Sequence, residues 1–292
     1  MSLVPRTFNG RDSAFSEVDE YTVSLSKRLA LRVYSDTRPQ NGKIADLQKG
    51  LILVYEGTES VAEGTGFGVP IIVSNGETYF SGSSHVYASQ QGRSTIIHKD
   101  FIMDHIARNT FRNVHVKNHK ARAALRYVAK LYRRNKHLQS LTMKKLSQKV
   151  GYDTLFLKTT PVGTVSVKFH LSESHVKVEA DLTQLKQKNL QRMFMLNEQG
   201  AMFFRKYKDS TGAELYDKEI GAWNPIIAEW ASLTSPDNDV GFRLRQVDDC
   251  FLRRGREYLR DCLDWVGLDY EVNARESFEY DIEISEEARR LE

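Results

Sequence analysis

The feature that most limits what this chain can fold into is a two-residue rhythm, cleanest near the C-terminus in "SFEYDIEIS" (277–285). Phe278, Tyr280, Ile282 and Ile284 alternate there with Glu279, Asp281 and Glu283. Successive side chains of a strand point to opposite faces, so this spacing predicts a half-buried β-strand and excludes an amphipathic helix. The rhythm recurs along most of the chain, in "YTVSLS", "LALRVYS", "GLILVYEG", "GFGVPIIVSNGETYFSG", "STIIHKDF", "DTLFLKTT", "GTVSVKFHLS", "HVKVEADL", "RMFMLNEQGAMFFRKYKDSTG", "IIAEWASLT", "VGFRLRQV" and "LDWVGLDYEV". Asn75-Gly76, lying between two β-rich runs, is the strongest hairpin signal. Roughly fifteen short strands without alternating helices predict a mainly antiparallel sandwich or barrel rather than a βαβ fold.

One stretch breaks the rhythm. From His105 to Tyr152 there is no acid among 48 residues, while 13 are Lys or Arg and four of the chain's 8 His lie there as well. The net charge of +4 therefore hides a bipolar chain, whose remainder carries 29 basic against 38 acidic residues. Ala121, Ala124, Leu125, Val128, Leu131 and Tyr132 follow the three-and-four spacing of an apolar helical stripe. Leu138, Leu141, Leu146 and Val150 outline a second, shorter helix with Gly151 placed to cap it. The pattern predicts a basic helical hairpin inserted at about 117–150.

The same winding lines up Arg122, Arg126, Lys130 and Arg134 at i+4 steps, with Arg133 beside them. Each like-charged pair at that spacing costs a helix about 0.2–0.5 kcal/mol, so an isolated helix gains nothing from it. Either the acidic remainder of the molecule neutralises this face, or an anionic ligand settles on Arg122, Arg126, Lys130, Arg133 and Arg134. A nucleic acid would be held there through its phosphates, because no base-reading fingerprint accompanies the charge.

Length and composition frame the rest. With 292 residues, 40% hydrophobic, the chain can close a large core as a single domain spanning 1–292. The size and strand count suit a two-sheet supersandwich of the kind used by galactose-mutarotase-like proteins, a likeness of architecture that carries no function with it. No apolar run reaches the length of a transmembrane helix, the N-terminus lacks an apolar signal core, and Cys250 and Cys262 are too few for a disulfide framework. A cytoplasmic location is the expectation that follows.

Nothing in the chain spells out a cofactor site. "GTGFGVP" (64–70) is no phosphate loop, since its glycines alternate and a strand follows; bulges or close strand crossings explain them. His115 with His119, and His98 with Asp100, Asp104 and His105, have ligand chemistry without metal-site spacing, so no metal is expected. Handling a sugar chemically requires an acid and a base on polar strand positions. By residue type the candidates are His170, His175, Glu179 and Glu198, although alternation gives any half-exposed strand such a polar row, and "NEQG" (197–200) reads as a hairpin turn. Trp223, Trp230, Trp265, Tyr207, Tyr216 and Phe203 are candidate stacking rings, although large aromatics more often fill the core. The functional expectation is binding, with or without processing, of a carbohydrate or other anionic ligand on a sandwich face. The alternative is a noncatalytic interaction protein whose basic hairpin meets nucleic acid or an acidic protein surface.

Overall fold

The structure is a computed structural model, and it describes residues 3–8, 18–34, 48–60, 65–91, 94–111, 152–172, 174–185, 190–259 and 263–291. The expected basic hairpin at 117–150, with Arg122, Arg126, Lys130, Arg133 and Arg134, lies outside the described residues, as does the His115/His119 pair. Among the described residues there is no α-helix, only 3₁₀ turns at Asp217–Ile220 and Ala288–Leu291. None of their helices is long and apolar enough to cross a membrane.

The chain is mainly β and forms two antiparallel sheets. The smaller has five strands in chain order: β1 (Leu3–Phe8), β2 (Val18–Ser24), β3 (Leu29–Tyr34), β4 (Ile52–Tyr55) and β5 (Thr58–Glu59). The larger has fifteen. Its first half is built from β6 (Gly66–Ser74), β7 (Glu77–Gln91), β8 (Ser94–Phe111), β9 (Tyr152–Lys158), β10 (Thr164–Leu171), β11 (His175–Asp181) and β12 (Leu190–Gly200). Its second half comprises β13 (Lys206–Asp209), β14 (Glu214–Tyr216), β15 (Asn224–Pro225), β16 (Trp230–Ser235), β17 (Val240–Arg245), β18 (Cys250–Leu259), β19 (Leu263–Asn273) and β20 (Ser277–Ser285). Across this sheet the order is β14-β13-β16-β17-β20-β11-β10-β8-β7-β6-β12-β19-β18-β15, with β9 paired to β8. The chain divides into two compact units, residues 1–106 with 158–292, and residues 107–157; of the second, the structure describes the end of β8 and most of β9.

Within the larger unit, the big sheet turns over on itself. Phe67 of β6 and Phe242 of β17, six places apart in strand order, meet edge to face at 4.9 Å. Tyr280 Oη of β20 donates to Asn197 Oδ1 of β12 at 2.7 Å. One apolar core fills the concave side, with Val167, Phe169, Val176, Val178, Leu268, Tyr270, Ile282 and Ile284 all buried. The smaller sheet joins it through a Leu51–Phe67 bridge and through Lys99, a fully buried side chain of β8 whose Nζ donates to the Tyr34 carbonyl at 2.7 Å.

Local expectations resolve in several ways. Asn75 and Gly76 both take positive φ, 51° and 76°, and close the β6–β7 hairpin as a two-residue turn of that kind requires. Gly68, at φ 74°, passes so close to β10 that a Cβ there would stand 2.4 Å from the Phe169 ring, which bears out the close-crossing reading of "GTGFGVP". "NEQG" is not a hairpin turn: Asn197, Glu198 and Gln199 lie inside β12 and are buried, and the chain turns only at residues 201–203. β18, "CFLRRGREYL", is a strand that its charge concealed.

Candidate functional site

Along the middle of the large sheet, β7, β8, β10, β11 and β20 turn mainly apolar side chains inward, buried Lys99 of β8 being an exception, and mostly polar ones out. The antiparallel registers then set the outer residues in rows. Tyr87, His98, Lys168, Glu179 and Glu279 follow one another across β7, β8, β10, β11 and β20. On one side runs the row His85, Asp100, Ser166, Asp181 and Ser277; on the other, His170, Lys177 and Asp281. Neighbouring strands lie about 4.8 Å apart, so side chains in a row touch.

Two carboxylates, Glu179 and Glu279, stand directly opposite each other, an arrangement that repels. Lys177 relieves it, its Nζ lying 3.0 Å from Glu179 Oε1 and 3.0 Å from Glu279 Oε2. His170 Nε2 comes within 3.3 Å of Glu179 Oε2, at ion-pair distance but without hydrogen-bond alignment. Burial pushes the Glu179 carboxyl up, yet Lys177 and His170 together hold it below the usual carboxylate range, and the two glutamates raise the Lys177 ammonium. Asp181 is held low by the Thr183 hydroxyl and N–H, which donate to its Oδ1 at 2.7 and 2.9 Å. Beside this row opens a groove of about 430 Å³, lined by Ser166, Lys168, Glu179, Asp181, Arg275, Ser277 and Glu279 with Ala180, Val247 and Phe278 behind them.

At the β7 end of the same row the Tyr87 ring is half exposed and stacks on the His98 imidazole, centroids 4.5 Å apart and planes 9° from parallel. Burial, then the nearby Lys168 ammonium, lower the His98 pKa, so the imidazole is neutral at pH 7 and offers Tyr87 an uncharged partner. The Tyr87 ring keeps half of its surface exposed beside a face of hydroxyls, ammonium groups and carboxylates.

Comparison with known proteins adds little here. No family model matches this chain, and no curated protein sequence does. Among solved structures, the crystal structure of the Slr1438 protein from Synechocystis sp. PCC 6803 is similar over 91% of this chain and 95% of that one, at 9% identity and a TM-score of 0.37. A likeness that weak carries no argument about function.

The sequence candidates separate into two places. His170 and Glu179 meet on the groove face and touch each other rather than standing on opposite sides of a gap; His175 joins them one row away, 3.8 Å from Asp281. Glu198 is elsewhere, on the part of β12 and β19 that Trp223 covers. Gly255 and Gly267 sit opposite each other there, and the Trp223 ring fills the space that two Cβ atoms would take. Glu198 accepts from Thr65 Oγ1 at 2.9 Å, and Asp269 accepts from the Asn197 N–H at 2.9 Å. Burial raises the carboxyl pKa of both, and for Glu198 the charges of Asp269 and then of Glu257 add to it.

The expected aromatic candidates are mostly structural. Tyr207 and Trp265 are buried, Phe203 packs against the core, and Trp230 lies under the Arg243 guanidinium. Of the His98, Asp100, Asp104 and His105 group, Asp104 is buried and accepts from the Gly82 N–H, with His105 Nδ1 2.7 Å away. Among the described residues, no group of three His, Cys, Asp or Glu side chains is arranged to hold a metal. Tyr87, Lys168, Arg275 and Asp269 escaped the sequence reading. Tyr87 and Lys168 carry a signal, as outward positions alternating with Val86 and Ala88 and with Val167 and Phe169.

Proposed function

We propose that this protein binds a carbohydrate on the outer face of β7, β8, β10, β11 and β20, on a body of the supersandwich type. The observation that carries this reading is the exposed Tyr87 ring, stacked on His98 in the same cross-strand row as the groove residues Lys168, Glu179 and Glu279. A sugar ring presents C–H groups on its faces and hydroxyls around its edge. It asks for one flat aromatic surface and for a rim of mixed donors and acceptors. Lys168, Arg275, Ser166 and Ser277 donate; Glu179, Asp181 and Glu279 accept. Ionised Glu179 remains an acceptor, with its two oxygens shared with Lys177 and His170.

Isothermal titration against a panel of oligosaccharides tests the reading. Tyr87→Ala should weaken binding by about 3- to 10-fold, the loss of one aromatic contact. Unchanged affinity in that variant would remove the site from this face.

A further inference from the structure

We infer that the saccharide this groove takes carries an anionic group, a carboxylate or a sulfate; the inference rests on the carbohydrate reading above and deepens it. By formal charge the groove looks mildly acidic, with Glu179, Asp181 and Glu279 against Lys168 and Arg275. What a ligand meets depends on which of these groups are already engaged.

The acids are engaged. Glu179 and Glu279 share the Lys177 ammonium, and Glu179 has His170 as well. Asp181 receives both hydrogen bonds that Thr183 can give it. The cations are not engaged in the same way. Among the described residues, no carboxylate lies within ion-pair range of Lys168 Nζ or of the Arg275 guanidinium. Asp181 feels the Lys168 charge from farther away. Arg275 spends one N–H, from Nη2 to the Asp249 carbonyl at 3.1 Å, and its guanidinium stands 5.8 Å from the Phe278 ring centre.

A guanidinium has five N–H donors in a planar fork that matches the oxygens of a carboxylate or sulfate, and an ammonium has three. The donors left in this groove are therefore mostly cationic, and the acceptors left are few. A neutral sugar would satisfy them only with hydroxyls. An anionic substituent lying between Lys168 and Arg275 satisfies them with charge-assisted bonds, which are roughly twice as strong as neutral ones.

The test compares, by isothermal titration, oligogalacturonate and oligoglucuronate with their methyl esters, a sulfated galactan oligosaccharide and an unsubstituted galactan, on the wild type and on Lys168→Gln/Arg275→Gln. Both substitutions sit on the surface, and thermal melting confirms that the variant is folded. The wild type should bind an acidic form about 10-fold or more tighter than its ester or the unsubstituted sugar, the worth of one hydrogen bond to a charged group. The double variant should lose that preference, binding each acid no tighter than its ester or the unsubstituted sugar; which acid binds tighter to the wild type identifies the carboxylate or the sulfate. Equal or tighter binding of the neutral forms, weakened by Tyr87→Ala, would overturn the charge preference and leave the carbohydrate reading standing. No binding of any saccharide would overturn both.

Discussion

Two carboxylate groupings on one side of the same sheet meet opposite fates. On β11 and β20, Glu179 and Glu279 are open to solvent and tied to Lys177, and Glu179 is held below its ordinary range. On β12 and β19, Glu198 and Asp269 are buried near Trp223, with a hydroxyl, one N–H and the partly screened charge of Arg253 for company, and burial pushes both up. Residue type is the same in both places. Access to water and the presence of an ammonium decide whether a carboxylate is an exposed, ionised acceptor or a buried group whose pKa is pushed up.

The largest effect should come from breaking the buried side. Folded-state pKa values raised above the unfolded ones mean that the folded state holds protons the unfolded chain has released. Stability from this pair is full below the unfolded carboxylate range and falls as pH rises through the raised values. Glu198→Gln/Asp269→Asn should remove that fall, gaining about 2 kcal/mol over the wild type at pH 8 and little at pH 4, in denaturant titrations at both pH values. A parallel loss in wild type and variant would show that other groups cause it.

A second effect concerns the residue that ties the two regions together. Asn197 Oδ1 accepts from the Gly68 N–H at 3.1 Å and from Tyr280 Oη at 2.7 Å, joining β12 to the inner side of β20. Asn197→Ala should cost about 1–2 kcal/mol, because two buried donors lose their acceptor. Denaturant unfolding measures it, and a cost under about 1 kcal/mol would mean that the donors find other partners.

The smallest effect belongs to the exposed side. Lys177→Met should change stability by no more than about 1 kcal/mol, since solvent screens the pair. It should nevertheless let the Glu179 carboxyl rise, moving its NMR titration to higher pH. Here the sign is opposite to that of the buried pair: stability from a lowered carboxyl is present above the unfolded range and is lost as pH falls through the folded value.

Much of this architecture is written in the local sequence. "SFEYDIEIS" alternates in the structure as it does in the chain, each apolar residue buried and each acid at least partly open. What local pattern hides is tertiary compensation. "NEQG" reads as a turn because four polar or small residues follow one another, yet Asn197 is satisfied by Gly68 and Tyr280, and Gln199 Oε1 accepts from Ser60 Oγ. "FLRRGREYL" reads as a charged surface run, yet Arg254 lays its guanidinium 5.0 Å from the Tyr207 ring centre and donates to the Ile220 carbonyl. "SGSSHVYASQQ" is too rich in Ser and Gln to announce most of a strand of 15 residues, which obscures Tyr87. His170 and Glu179 could be named by type, but their contact depends on a register between strands, which no single segment encodes.

The most direct test of the carbohydrate face is backbone amide NMR on the full chain during titration with the tightest-binding oligosaccharide of the panel. The account predicts that perturbed resonances cluster at Tyr87, His98, Lys168, Glu179 and Arg275, leaving Glu198 and Asp269 unmoved. Perturbations gathered instead in 117–150, or on β12 and β19, would contradict it.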